Sequence, residues 1–274
     1  MIDNHIKKQI KNISNKIIDN EILFRYGQND KKKSHVSLLE RDFAKIVGKK
    51  YCIAFNSCST AIFTALKIFN LKPNSKVFVP IFTFAAVPAA AEHAGLMPVT
   101  VNITKDLYVD ELDFKNKILK HPECRTMILS YMRGHVPNID TIKKLCKKHY
   151  IKVIEDCAHS LGVRYKGQQT GNFGEFSCFS TQSYKIIDGG EGGLLCTNNL
   201  EFATKAVLYS GSYENLYNSH FIDKRLFKKY LGKIPPYNFR MTALAAAILR
   251  PQLKYLKKKI KLVNQKFFIF KKII

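Results

Sequence analysis

Short apolar runs alternate with amphipathic segments through the first half of the chain. Five of these runs are almost wholly apolar: YCIAF (51–55), KVFVP (76–80), MPVTVNI (97–103), TMILSY (126–131) and IKVIED (151–156). Runs without polar alternation are typical of parallel strands that are buried on both faces. The pattern therefore predicts an α/β fold with a mainly parallel central sheet sandwiched by helices.

The segments between the runs carry apolar residues at helical spacing. They are SLLERDFAKIVG (37–48), SCSTAIFTALKIF (57–69), FAAVPAAAEHAG (84–95), DELDFKNKIL (110–119) and NIDTIKKLCKKHY (138–150). Each predicts a helix that covers one face of the sheet. We expect Pro88 to interrupt the third helix, because a proline inside a helix removes a hydrogen-bond donor and clashes with the preceding turn.

The charge of the chain is strongly positive, with 45 basic and 21 acidic residues and a formal net charge of +24. Such an excess is compatible with binding to nucleic acid or to an acidic membrane. The lysines are scattered, however, although LKYLKKKIKLVNQKFFIFKK (253–272) is dense in them and contains no acid. Because no nucleic-acid-binding motif accompanies them, we expect solvated surface lysines and no specific nucleic acid.

The cysteines and the apolar stretches predict a cytoplasmic protein. The cysteines number seven and form no CxxC pair or zinc-binding spacing with histidine, so we expect reduced thiols and no metal. The N-terminus lacks the apolar core of a signal peptide. The most apolar long stretch, IFTFAAVPAAAEHAGLMPV (81–99), contains Pro88, Glu92 and His93 and predicts buried core, not a membrane span.

Polar residues follow the ends of several predicted strands, where α/β sheets bind ligands. After YCIAF, the segment NSCSTAIF (56–63) places hydroxyl side chains at the first turn of a helix. The N–H groups and the dipole there can hold a phosphate, while simple N-capping by Asn56 or Ser57 is the alternative. After IKVIE, Asp156 is either a helix cap or a carboxylate that holds a cationic ring nitrogen. His159 could equally be a satisfied, partly buried histidine.

Lys185 lies in FSTQSYKIIDGGEGG (179–193), shortly before four glycines. A lysine in such a place is usually solvated, but its amine can also form a Schiff base with an aldehyde. Glycines would let the backbone approach a flat cofactor. A lysine for an imine, a carboxylate for a pyridinium nitrogen and a helix N-terminus for a phosphate are together the requirements of pyridoxal phosphate.

The sequence resembles the DegT/DnrJ/EryC1/StrS family of sugar aminotransferases, which are pyridoxal-phosphate enzymes of fold type I. The resemblance covers roughly residues 35–265. It is carried by LERDFAKIVGKKYCIAFNSCSTAIFTALK, VFVPIFTFAAVPAAAEHAGLMPVTVNI, VIEDCAHSLGVRYKGQQTGNFGEFSCFSTQSYKIIDGGEGG and PYNFRMTALAAAIL. The block from EDCAHSLG to GEGG is the most specific of these.

The resemblance implies a role for each matched residue. Lys185 corresponds to the lysine that holds pyridoxal phosphate, Asp156 to the partner of the pyridine nitrogen, and His159 to a residue near the phenolic oxygen. Phe84 corresponds to the aromatic residue that stacks on the ring, with core packing as the alternative from the residues alone. The remaining matches are Ser59, Thr60 and Ser180 at the phosphate, and Asn238 and Arg240, which a second subunit contributes to the neighbouring site of a homodimer.

The implied reaction transfers an amino group from a donor such as glutamate to a nucleotide-linked keto-sugar. Family members continue into a smaller C-terminal domain, so three regions are expected. They are a basic helical segment (1–34), the large cofactor-binding domain (35–240) and a connecting helix, kinked at Pro251, with the start of a truncated C-terminal domain (241–274). A catalytically impaired fragment that binds the cofactor or a partner chain is the alternative. SYMRGHVPNID (130–140) departs from the usual pattern at its start, where a difference would bear on the sugar site.

Overall fold

The computed structural model describes residues 4–28 and 30–272, which contain ten α-helices and nine strands. The helices are α1 (Asn4–Asp19), α2 (His35–Val47), α3 (Cys58–Phe69), α4 (Ala86–His93), α5 (Glu111–Lys120), α6 (Ile139–Lys148), α7 (Leu200–Gly211), α8 (Phe227–Tyr230), α9 (Ala243–Leu253) and α10 (Leu256–Lys271). The strands are β1 (Tyr51–Phe55), β2 (Lys76–Pro80), β3 (Met97–Val101), β4 (Thr126–Ser130), β5 (Lys152–Asp156), β6 (Arg164–Tyr165), β7 (Gln168–Gln169), β8 (Phe176–Ser180) and β9 (Gly193–Thr197). Short 3-10 turns lie at Met132–Gly134 and Leu216–Ser219.

Seven strands form one sheet in the order β1-β9-β8-β5-β4-β2-β3, and β6 pairs with β7 in a separate hairpin. The strands from β8 to β3 in this order are parallel, whereas β9 is antiparallel to both of its neighbours, β1 and β8. The prediction of a mainly parallel sheet is therefore confirmed. The turn from β8 to β9 (181–192) contains Lys185 and opens at the same edge of the sheet as the end of β5.

Helices cover both faces of the sheet, because alternate residues of each buried strand point to opposite sides. Met127 and Leu129 of β4 belong to one apolar core, with Phe43 of α2. Ile128 belongs to the other core, with Leu66 of α3. The layers are those that the apolar runs predict for a sheet buried on both faces.

The two helix prolines have different consequences. The predicted interruption of a helix at Pro88 is wrong, because α4 begins at Ala86 and Pro88 lies in its first turn. Backbone N–H groups there have no intrahelical acceptor, so proline costs no hydrogen bond. Pro251 lies inside α9, which ends two residues later at Leu253 before α10 begins at Leu256.

The N-terminal segment packs onto the large domain. Ile17 of α1 is buried against Ala243 and Ala247 of α9. Arg25 is buried and forms an ion pair of 3.0 Å with the carboxylate of Glu40, which also accepts a hydrogen bond from the His220 ring at 3.0 Å. Across the described stretches of chain, every helix is too short or too polar to cross a bilayer.

Candidate active site

A cavity of about 520 Å³ opens at the end of the sheet where β5 and β8 terminate. Six of the nine predicted site residues line this cavity: Ser59, Phe84, Asp156, His159, Ser180 and Lys185. They come from four separate parts of the chain, so the fold assembles them. The other lining residues include Ser57 and Cys58 from the start of α3, Met132 and Arg133 from the turn after β4, and Glu191 and Gly192 from the turn before β9.

Asp156 is the last residue of β5 and lies in the floor of the cavity. Its side chain is buried, and its two carboxylate oxygens accept hydrogen bonds from the Ser130 hydroxyl at 2.6 Å and from the Ala158 N–H at 3.1 Å. Burial raises the pKa of Asp156, and the two hydrogen bonds and the charge of Lys185 oppose that rise. The carboxylate is thus positioned to face a cation in the cavity.

A chain of hydroxyl groups orients Asp156. The Thr83 hydroxyl donates a hydrogen bond to Ser130 Oγ at 2.8 Å, and the Ser130 hydroxyl donates one to the carboxylate of Asp156. Sequence reasoning missed both residues, because Thr83 and Asp156 are far apart in the chain. Ser130 lies near the end of the predicted strand TMILSY and is the last residue of β4, and that position next to Asp156 in the sheet is the one available signal.

Lys185 and His159 are in direct contact across the cavity. The side-chain nitrogen of Lys185, Nζ, lies 2.7 Å from His159 Nε2. Desolvation lowers the pKa of Lys185, and the positive charge of Arg133 adds to this, while Asp156 and Cys58 act in the opposite direction. Desolvation and the positive charges of Lys185 and Arg133 lower the pKa of His159 to about 4. The imidazole is therefore neutral at physiological pH.

The hydrogen bond on the other side of the ring fixes which nitrogen of His159 carries the proton. His159 Nδ1 lies 3.3 Å from the backbone nitrogen of Arg133, whose N–H donates to it. Nδ1 is then an acceptor, so in the neutral ring the proton is on Nε2 and points at Lys185. This arrangement suits a neutral lysine amine, which can accept that proton in a hydrogen bond.

The N-terminus of α3 forms another wall of the cavity. Ser57 is the N-cap, and its hydroxyl accepts a hydrogen bond from the Thr60 N–H at 3.1 Å. Ser59 lines the cavity, but Thr60 is outside the set of described residues that do so. The Thr60 hydroxyl instead donates to Asn56 Oδ1 at 2.7 Å. The predicted N-capping by Ser57 is therefore present, and Ser59 is the member of the predicted phosphate pair that lines the cavity.

Gly192, in the turn before β9, and Gly193, the first residue of β9, lie very close to other parts of the protein. A Cβ atom at Gly193 would overlap the Ser57 carbonyl and the Cys58 amide nitrogen. A Cβ atom at Gly192 would overlap the Thr181 hydroxyl. Gly193 therefore brings β9 against the first turn of α3, and the glycine supports the cavity wall without facing its interior.

Phe84 is exposed to solvent, whereas Ser180 is buried. Phe84 is 64% exposed, so it is a ring at the cavity surface and not a core residue. Ser180 is buried at the end of β8, where its hydroxyl accepts a hydrogen bond from the Gln182 N–H at 3.3 Å.

Asn238 and Arg240 lie apart from this cavity, outside its described lining. Their segment runs beside the end of β1, where Arg240 bridges to Phe55 and the Asn238 carbonyl accepts a hydrogen bond from the Asn56 side chain at 3.4 Å. The Arg240 guanidinium donates to the Gly211 carbonyl at 2.8 Å. The structure thus separates these two residues from the site formed within the same chain.

Glu155, the acidic neighbour of Asp156, has a structural role. Its fully buried carboxylate accepts hydrogen bonds from the Tyr131 hydroxyl and from three backbone N–H groups in the loop 171–174, at 2.7–2.8 Å. The acidic pair that ends β5 therefore splits into a loop-anchoring residue and a cavity residue.

The fold and the site together define a class of protein. A mainly parallel seven-stranded sheet, with a lysine, a buried carboxylate and a helix N-terminus around one cavity, is the large domain of a fold-type I pyridoxal-phosphate transferase. The chain belongs to the DegT/DnrJ/EryC1/StrS aminotransferase family, whose profile matches residues 5–272.

Curated relatives include proteins that are named for the synthesis of amino sugars and polysaccharides. The chain is 32% identical over 216 residues to GDP-perosamine synthase of Caulobacter vibrioides, which covers 78% of this chain and 55% of that protein. It is 30% identical over 224 residues to the spore coat polysaccharide biosynthesis protein SpsC of Bacillus subtilis, covering 81% and 57% respectively. The chain therefore spans a little over half the length of these relatives.

Solved structures show the same fold at lower identity. The structure of 3-amino-5-hydroxybenzoic acid synthase superposes with a TM-score of 0.83 at 23% identity, covering 98% of this chain and 65% of that one. PseC of Helicobacter pylori, an aminotransferase of pseudoaminic acid biosynthesis, gives a TM-score of 0.79 at 22% identity and covers 94% and 64%. These likenesses establish the fold.

Proposed function

We propose that the protein is a pyridoxal-phosphate-dependent aminotransferase that moves an amino group from glutamate to a nucleotide-linked keto-sugar for amino-sugar or polysaccharide biosynthesis. The observation that carries the proposal is the contact of 2.7 Å between Lys185 Nζ and the neutral His159 ring, in a cavity whose floor holds the buried Asp156. The names of the relatives, which include GDP-perosamine synthase, support a sugar as the acceptor.

The residues present fit pyridoxal phosphate. Asp156 is a buried carboxylate, and a cationic partner would stabilise its charged form. A protonated pyridine nitrogen is such a partner. Ser59 and Ser180 line the cavity near the capped end of α3, where N–H groups favour a phosphate. Phe84 offers an exposed aromatic face.

When bound, the cofactor supplies an aldehyde that condenses with amines and an electron-withdrawing ring. Asp156 would keep a proton on the ring nitrogen. Lys185 would bind the aldehyde through Nζ and, once displaced by the amino donor, would move a proton at the donor's Cα as general base and acid. Its lowered pKa favours this work, since a neutral amine is both the nucleophile and the base. His159, held by Arg133, would orient Lys185 through Nε2.

A homodimer completes the proposal. Asn238 and Arg240 lie on the segment beside β1, away from the cavity of their own chain. We assign them to the site of a second subunit, in keeping with the family resemblance.

Borohydride reduction tests the cofactor role of Lys185. The purified protein is incubated with pyridoxal phosphate, reduced, digested and analysed by peptide mass spectrometry. We expect the cofactor to be fixed on the peptide that contains Lys185, and the Lys185→Ala variant to leave that peptide unlabelled. An unlabelled Lys185 in folded, cofactor-soaked protein would contradict the proposal.

Addition of glutamate separates an aminotransferase from a chain that only binds the cofactor. An aminotransferase shifts the absorbance band of the bound cofactor when glutamate is added, without any sugar present. A stable band that ignores glutamate would support the impaired fragment instead. Nucleotide-linked keto-sugars added after glutamate should restore the original band if they are the acceptors.

A further inference from the structure

Arg133 has an unusual backbone conformation beside the candidate active site. It lies in the turn Met132–Gly134 that directly follows β4, with φ 56° and ψ 15°. This is the left-handed region, which residues other than glycine enter at a cost on the order of 1 kcal/mol or more. Such strain persists only where the surroundings enforce it, and it is concentrated at functional sites.

Local hydrogen bonds hold Arg133 in this conformation. The Gly134 N–H donates to the Tyr131 carbonyl at 2.9 Å, and the His135 N–H donates to the Met132 carbonyl at 3.1 Å. The N–H of Arg133 itself donates to His159 Nδ1. The active-site histidine therefore accepts a hydrogen bond from the backbone of Arg133. The guanidinium takes no part in these contacts.

The guanidinium of Arg133 differs from those of the other arginines. The chain has eight arginines, all of them in the described stretches. Each of the other seven donates from its guanidinium to an oxygen of the protein: Arg25, Arg41, Arg125, Arg164, Arg225, Arg240 and Arg250. Within the described residues, the Arg133 guanidinium makes no such hydrogen bond or ion pair.

The guanidinium of Arg133 lies close enough to Lys185 and His159 to affect both. Arg133 lines the cavity, and its charge lowers the pKa values of both Lys185 and His159. The acids of the same cavity are Glu191 and the buried Asp156. Asp156 already accepts two hydrogen bonds, and Glu191 forms no ion pair with Arg133. The five donors of the guanidinium thus remain available to a ligand.

We propose that Arg133 binds an anionic group of a substrate, a carboxylate or a phosphate, and thereby positions that substrate next to Lys185. A planar guanidinium matches either group with two parallel hydrogen bonds. The proposal rests on the proposed function, because it takes the anion to be part of a substrate of the same cavity. Both the amino donor and a nucleotide-linked sugar carry such groups, as a carboxylate and as phosphates respectively.

Isothermal titration calorimetry with two inert probes tests the proposal. Protein loaded with pyridoxal phosphate is titrated with glutarate, a dicarboxylate without an amine, and separately with inorganic pyrophosphate. The variants are Arg133→Gln and Arg133→Lys, both of which keep the backbone N–H that bonds to His159. Arg225→Gln is the control, since this exposed arginine pairs with Asp223 and is outside the described cavity lining.

We expect the unmutated protein to bind at least one probe, and Arg133→Gln to weaken that binding by about tenfold to a hundredfold, the value of a charge-assisted hydrogen-bond pair. Arg133→Lys should retain part of the affinity, and Arg225→Gln all of it. Loss of glutarate binding alone assigns the residue to the carboxylate of the amino donor. Loss of pyrophosphate binding alone assigns it to the phosphates of the second substrate.

Equal binding by the unmutated protein and Arg133→Gln, or no binding of either probe, overturns the proposal. A fall in the affinity for pyridoxal phosphate itself in Arg133→Gln also overturns it, because the anion is then the cofactor's. Borohydride trapping of Lys185 in the same preparations reports separately on the proposed function. If trapping fails, the same titrations on cofactor-free protein still decide whether Arg133 binds an anion.

Discussion

Lys185 Nζ lies 2.7 Å from Nε2 of His159, and the ring that it meets is neutral at physiological pH. With Nδ1 accepting from Arg133, the Nε2–H group can donate a hydrogen bond to Lys185 only when the amine is uncharged. Desolvation acts in the same direction, because the charged form of the lysine loses its hydration inside the cavity.

The lowered pKa of Lys185 predicts a distinctive reactivity. Reductive methylation with formaldehyde and cyanoborohydride requires a neutral amine, so its rate at each lysine rises with pH through the pKa of that lysine. We expect the midpoint for Lys185 to lie at lower pH than that for Lys166, whose pKa Asp140 raises through a hydrogen bond. Peptide mass spectrometry over a pH series measures both midpoints in one sample.

Arg133→Gln tests the contribution of Arg133 to the pKa of Lys185, with Lys166 as the internal control. Removing the positive charge of Arg133 removes one of the causes that lower the pKa of Lys185, so the Lys185 midpoint should move to higher pH. The Lys166 midpoint should stay where it is. A Lys185 midpoint at or above that of Lys166 in the unmutated protein would contradict the inference that desolvation lowers the pKa of Lys185.

Asp156→Asn is expected to lower activity and to change the pH dependence of the stability of the cofactor-free protein. The variant cannot keep a proton on a ring nitrogen, and we expect turnover to fall by about a hundredfold or more. Burial raises the folded-state pKa of Asp156 above its unfolded value, so ionisation costs stability once the pH exceeds the unfolded pKa of about 4. Asparagine avoids this cost of ionisation, but it offers only one acceptor oxygen to Ser130 and Ala158, so the stability of the variant relative to the unmutated protein should be higher at pH 7 than in acid.

The pH dependence distinguishes this explanation from a general packing effect. Below the unfolded pKa both states of the protein hold the proton, so the relative gain of Asp156→Asn from avoiding ionisation should disappear in acid. Asp140→Asn is the control with the opposite sign, since Lys166 lowers the pKa of Asp140 and its charge can only help the folded state at pH 7. A stability difference from the unmutated protein that is equal at pH 7 and in acid would contradict the linkage to Asp156.

Glu155→Gln should destabilise the fold without acting on the cavity directly. The carboxylate accepts from the Tyr131 hydroxyl and from the N–H groups of Gly171, Phe173 and Gly174, and an amide NH₂ would face some of those donors. The loss should be about 2–4 kcal/mol in urea unfolding. Tyr131→Phe removes one of the four bonds and should cost only about 1 kcal/mol. Equal losses would mean that the loop bonds contribute little.

The five apolar runs predict β1 to β5, because burial in the sheet favours apolar residues along each strand, whereas β8, which pairs in parallel with β5, is not among them. The pairing of β9 between β1 and β8 in antiparallel fashion was beyond that pattern, since strand direction depends on connections that periodicity does not encode. The interruption predicted at Pro88 is wrong because the effect of a proline depends on where the helix begins, and α4 begins at Ala86 without a side-chain N-cap that would mark this boundary in the sequence.

Some site residues can be predicted from the neighbouring sequence, and others only from contacts with distant parts of the chain. Asp156 and Lys185 stand out in the sequence because a carboxylate ends an apolar strand and a lysine precedes clustered glycines. Thr83 carries no such mark, and Ser130 and Arg133 are marked only by their place in SYMRGHVPNID (130–140). Ser130 contacts Asp156, Arg133 contacts His159 and Thr83 contacts Ser130, each across more than twenty residues of chain.

Gly193→Ala tests whether the close approach of β9 and α3 supports the anion site. A methyl group there would overlap backbone atoms of Ser57 and Cys58, so the first turn of α3 must move. Overpacking of this kind costs about 1–3 kcal/mol, and displacement of Ser59 should weaken pyridoxal phosphate binding by about tenfold or more.

Gly167→Ala is the control: its φ of 80° makes alanine strained, but no atom lies within 4 Å of the added carbon. That control should lose about 1 kcal/mol of stability and keep its cofactor affinity. If Gly193→Ala loses stability but binds the cofactor as tightly as the control does, the start of α3 does not hold the phosphate.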